Sequence, residues 1–161
     1  MRHFLVLLAL SFLGASTCVW WLSGFVPRFL LPDFPFLAIV FSGFFVPGIA
    51  GFLCALPPAL FREITISAPS WSMFLGSMAL YFGSREIGRR FYLRTEPALL
   101  TAVGSLLAAE SFSVVSLLAL SGARPLSFLW GAQEAVRIAW TSLVAVPLFL
   151  DLSSRWRRVK E

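Results

Sequence analysis

A chain of 161 residues that is 58% hydrophobic, 16% aromatic and only 13% charged cannot cover a water-soluble surface, since soluble domains carry about a quarter charged residues. The formal net charge of +5 lies in short basic clusters between apolar runs, a layout that excludes a nucleic-acid-binding stripe and fits membrane topology. With a mean hydropathy of +0.84, the chain is predicted to form one all-α integral membrane domain over residues 1–161, with lipid as its main solvent.

The first apolar segment covers residues 4–26. Arg2 precedes it, and the small residues Ala15, Ser16 and Thr17 before Cys18 are where a signal cleavage would fall. The apolar run continues through Val19, Trp20, Trp21 and Leu22 to Val26, which predicts a retained helix with both tryptophans at its outer interface. Pro27, Arg28, Pro32, Asp33 and Pro35 mark a loop, because prolines so close cannot share one helix interior.

The apolar region from Phe34 to Phe61 is too long for one helix and is interrupted at Pro47-Gly48 and Pro57-Pro58. It is read as two short or broken segments, 34–47 and 48–66, crossing twice or re-entering. Arg62 and Glu63 follow the second proline pair and are expected to be outer-end charges that reach the headgroups by snorkelling. A fourth segment, 70–84, leads into Arg85, Arg89, Arg90 and Arg94. This cytoplasmic basic patch should anchor topology against anionic lipid, with docking of a filament protein as the sharper alternative. Pro97 opens the fifth segment, 97–120, at a favoured first-turn position. Gly122, Arg124 and Pro125 form a loop before the sixth, 127–152, and Arg155, Arg157, Arg158 and Lys160 follow.

Six segments satisfy the positive-inside rule. An even number of crossings then separates Arg2, the Arg85 to Arg94 cluster and the C-terminal cluster, putting both termini in the cytoplasm and Arg28 and Arg124 outside. Small residues four apart, Ser72 with Gly76, Gly104 with Ala108 and Ala135 with Ala139, are candidate close helix contacts.

Glu110, Glu134 and Arg137 fall deepest in these segments. Ionisable groups at mid-membrane rarely face lipid unpaired. Antiparallel fifth and sixth segments would bring Glu110 beside Arg137, with Glu134 on the same face three residues away, as a polar clamp or else a ligand or partner site. No enzyme is expected: His3 is the only histidine, and no nucleophile has a base at helical spacing. No cofactor or metal is expected, and Cys18 and Cys54, both in apolar runs, are read as buried free thiols.

The layout resembles the rod shape-determining membrane protein MreD family. The resemblance covers nearly the whole chain: Pro32-Asp33 introducing the second segment, glycines at 48 and 51 in the third, Glu110 in the fifth, and Pro147 with apolar residues and a basic tail in the sixth. The family's Gly-x-x-x-Gly-x-x-x-Asp pattern is met here by Gly51, Ala55 and Ala59, so its acid is missing, as is the frequent Asn before the last proline. The resemblance implies a fold similar to the substrate-binding subunits of energy-coupling-factor transporters. It also implies a non-catalytic role in the bacterial inner membrane, helping position lateral peptidoglycan synthesis in the elongation complex. Implied partners are an MreC-like single-pass protein, RodA, a transpeptidase and the MreB-like filament. The alternative is a small-molecule, vitamin-type, substrate-binding subunit of a membrane transporter.

Overall fold

The computed structural model describes residues 14, 16, 17, 20–27, 30–65, 72–91, 93, 95–120 and 128–158. The described chain is helical, without strands, and its main elements are α1 (Phe34–Phe45), α2 (Gly48–Thr65), α3 (Ser72–Arg90), α4 (Glu96–Leu120) and α5 (Phe128–Arg158). The first expected segment lies mostly outside the described residues. So do Arg2, Cys18, Arg28, Arg94, Arg124 and Lys160.

Helix α1 is the axis of the bundle. Its sequence is apolar on every side, and Pro35 to Gly43 are all buried, as expected of a helix surrounded by protein. Twelve residues make it about 18 Å long, well short of the roughly 30 Å hydrocarbon core. Val46 leaves the helix with extended φ and ψ of −102° and 114°, Pro47 cannot rejoin it, and Gly48 turns the chain with φ +65°. This tight turn sends α2 back beside α1.

Helix α3 then runs parallel to α1 at close range. A side chain at Gly43 would collide with Ser84 Oγ and lie 2.9 Å from the Tyr81 carbonyl, so the two backbones touch only because position 43 has no Cβ. Buried Tyr81 fills the space among α1, α2 and α3, its hydroxyl donating to the Gly48 carbonyl at 3.4 Å. On the opposite side of α1, Leu99, Val103 and Leu107 of α4 join Ala145 and Phe149 of α5 in one core. Phe149 meets Phe41 edge-on at 5.3 Å between centroids, an arrangement that aligns ring edge with ring face.

Helix α2 covers the expected third segment, 48–66, to within one residue, but it is not interrupted at Pro57-Pro58: it runs on through both to Thr65 although they lack the amide N–H. Other bounds differ from the sequence expectation. Helices α3 and α5 extend to Arg90 and Arg158, beyond the expected 84 and 152; arginine is a good helix former and is favoured at the carbonyl end. Among the members of the three small-residue pairs whose side chains are described, Gly104 is the one at a helix contact: a Cβ there would sit 3.5 Å from Ser142 Oγ. Ala108, its intended mate, is exposed, as are Gly76, Ala135 and Ala139. Small size permits contact but does not choose the face.

Candidate functional site

At the end of the bundle where α1 begins, five charged side chains from four elements converge. Asp33 is the hub. Its Oδ1 accepts from the Phe36 amide at 2.9 Å, capping the first turn of α1, while its own amide donates to Thr141 Oγ1 at 3.4 Å. The other oxygen, Oδ2, faces two guanidiniums: Arg62 at 3.5 Å and Arg137 at 3.4 Å. One carboxylate thereby starts the central helix and ties it to α2 and α5.

Arg62 lies in the last turn of α2 and is 5% exposed. It pairs with Glu110 of α4 as well as with Asp33, and donates to Ser77 Oγ of α3 at 3.5 Å. The snorkelling role expected of Arg62 is therefore corrected. Because α2 continues past Pro57-Pro58, residue 62 stays inside the bundle, where water cannot solvate it and carboxylates must. Glu63, its neighbour, is partly buried and accepts from the Phe74 amide at 2.8 Å. It satisfies an orphan donor in the first turn of α3.

The expected clamp between Glu110 and Arg137 is also corrected: Glu110 turns to Arg62, and Arg137 is held by Glu134 and Asp33. Arg137 Nε donates to Glu134 Oε2 at 3.0 Å. Ser111 joins α4 to this pair, its hydroxyl donating to Glu134 Oε2 at 3.1 Å and accepting from Arg137 Nη2 at 3.3 Å. The α4–α5 link thus runs through the residue after Glu110, whose side chain points about 100° further round the helix.

Three carboxylates and two guanidiniums share this cluster, and Glu110 Oε2 is enclosed with no hydrogen-bond partner among the described residues. Chemically the arrangement is a network of charge-assisted bonds rather than a nucleophile beside a base. Among the described residues no group of His, Cys, Asp and Glu could hold a metal ion. Sequence reasoning missed Asp33 as a site residue. The signal was available, since an Asp just before an apolar run is an N-cap candidate, but its second oxygen's partners depend on tertiary packing.

The basic patch lies at the opposite end, because α3 begins beside the charge cluster and ends at Arg90. Arg85 is half-buried, whereas Arg89 and Arg90 are exposed. Arg90 Nε meets Glu86 Oε1 at 2.6 Å and Arg89 Nη1 lies 4.0 Å from its Oε2. The hydrogen bond and charge of Arg90 hold the Glu86 carboxyl below the usual carboxylate range. Across the same end, Arg155 pairs with Asp151 at 2.9 Å. Comparison with known families, with curated proteins and with solved structures finds no match to this chain.

Proposed function

We propose that this chain is a multi-pass protein of the bacterial inner membrane, with both termini cytoplasmic. In this reading it is a non-catalytic component of the cell-shape complex that positions lateral peptidoglycan synthesis. The membrane placement rests on α4 and α5. Their stretches Glu96–Ser116 and Trp130–Arg155 are long and apolar enough to cross a bilayer, yet only 17% and 22% of those windows is buried within the fold. A core helix of a soluble protein would be mostly covered; the low burial of these two is compatible with an apolar solvent around them. Among the described residues, the segregation of exposed arginines to one end and paired charges to the other supports the positive-inside orientation.

The non-catalytic role is supported by the mutual engagement of Asp33, Arg62, Glu110, Glu134 and Arg137, which fastens α1, α2, α4 and α5 and so fixes one shape of the bundle. Such a frame suits a protein that holds others in register: an MreC-like single-pass protein, RodA and a transpeptidase within the membrane, with the MreB-like filament at the basic end. The particular complex rests on the resemblance to the MreD family. One observation favours the second reading, a vitamin-type binding subunit: a groove of about 560 Å³ between α4 and α5, lined by Glu96, Pro97, Leu100, Leu143, Pro147 and Leu150, within the size range of small-molecule sites. Affinity purification in mild detergent separates the two. Recovery of wall-synthesis proteins is expected; recovery of a vitamin and an ATPase without them overturns the first reading.

A further inference from the structure

At the basic end the last turn of α3 crosses the end of α1 over Gly88. A Cβ at position 88 would lie 2.9 Å from Phe44 Cα and 3.1 Å from its carbonyl oxygen, so the backbones meet directly. The contact leaves a notch of about 480 Å³ lined by Phe44, Phe45, Gly88, Arg89, Arg90, Phe91 and Leu93. Its two parts differ chemically. Phe44, Phe45 and Leu93 form an apolar floor continuous with the core, whereas Arg89 and Arg90 form the rim, and Phe91 stands 64% exposed beside them.

Charge at the rim is positive on balance. Arg89 and Arg90 share a single carboxylate, Glu86, and Arg85 stands one turn earlier on the same helix. The carbonyl ends of α1 and α3, which both meet the notch, each add about half an elementary negative charge, which together with Glu86 leaves the three arginines in excess. An apolar floor beneath a cationic rim matches an amphiphile with an anionic head, and basic pockets between helices on the cytoplasmic side are suited to such headgroups.

We propose that this notch seats one anionic phospholipid, its phosphate on Arg89 and Arg90 and the upper part of an acyl chain on Phe44, Phe45 and Phe91. The assignment rests on the membrane placement and goes beyond a general attraction of arginines to the bilayer, because it requires a shaped site. Occupancy by lipid would wedge the end of α1 against α3, and so couple lipid composition to the packing of the central helix.

The test uses the full chain, extracted in mild detergent, freed of lipid and returned to nanodiscs of phosphatidylcholine with increasing phosphatidylglycerol. Bound phosphatidylglycerol is counted by native mass spectrometry after release. The expected result is one tightly held molecule per chain. Retention should be roughly 10- to 30-fold weaker in the Arg89→Gln/Arg90→Gln variant, from the loss of two surface cations. It should be nearly unchanged in Arg155→Gln, which removes an arginine at the same end but outside the notch. Phe45→Ala, with both arginines intact, should also weaken retention. Equal losses in Arg155→Gln and Arg89→Gln/Arg90→Gln would reduce the effect to general surface charge and overturn the site, as would retention indifferent to all three. Carbonate extraction of the cell membranes is read separately: release of the chain into the wash overturns the membrane placement itself, whereas a retained chain without selective lipid binding overturns only the notch.

Discussion

At the end where α1 begins, Asp33, Arg62, Glu110, Glu134 and Arg137 are drawn inside and paired from four elements; at the end where α3 stops, Arg89 and Arg90 are 73% and 72% exposed and share one carboxylate with its own helix. Similar chemical groups therefore carry different energies. Removing one partner of a buried pair strands an uncompensated charge at a cost of about 3–5 kcal/mol, whereas an exposed pair is worth about 0–1 kcal/mol. Charge at the first end is committed to the fold, and charge at the second remains available to something outside it.

The largest effect that can break this contrast is expected from Arg62→Leu, which strips Glu110 of its guanidinium and leaves Asp33 with Arg137 alone. Folded yield and melting temperature in detergent should fall by the equivalent of about 3–5 kcal/mol; a loss no larger than that of an exposed arginine would erase the difference between the two ends. A smaller loss is expected from Gly43→Val. Its branched side chain must displace Ser84 or the Tyr81 backbone, an overpacking that costs about 1–3 kcal/mol, read from the same melting curve.

Asp33 sharpens the comparison by doing two things at once. Asn caps a helix about as well as Asp, so Asp33→Asn should keep the bond to Phe36 and lose only the pairing with Arg62 and Arg137, whereas Asp33→Ala should lose about 1 kcal/mol more. Equal melting temperatures for the two variants would remove the capping role. At the exposed end, Arg89→Gln/Arg90→Gln should shift melting by less than about 1 kcal/mol. The same change should disturb orientation, measured with a reporter after Lys160 that is active only outside the cytoplasm and is expected to be silent in the parent chain.

What was legible in the sequence follows from where composition and solvent differ. Pro97 marks the start of α4 to within one residue of Glu96, because proline's missing N–H is tolerated in a first turn. Glu134 and Arg137 could be placed on one face by spacing alone. The path of α2 through Pro57-Pro58 could not, since whether a proline pair ends a helix or is absorbed depends on neighbours that pack around the freed carbonyls. The partner of Glu110 was misread for a related reason. With apolar residues facing both the core and the outside of α4, the amphipathic pattern that marks an inner face in water is nearly absent. Depth along the helix is therefore readable while direction around it is not, and Arg62, expected at the outer end of its segment and turned to the headgroups, was missed as the partner.

The central claim is that Glu110 is held by Arg62 and not by Arg137, and a double-mutant cycle in detergent tests it most directly. Melting is measured for Arg62→Leu, Glu110→Leu and the double variant, beside the parallel cycle with Arg137→Leu. The expected result is a coupling of about 1–3 kcal/mol between 62 and 110, with the double variant recovering much of the loss of either single change, and a clearly smaller coupling between 137 and 110. Additive losses at 62 and 110, or a larger coupling between 137 and 110, would contradict the arrangement.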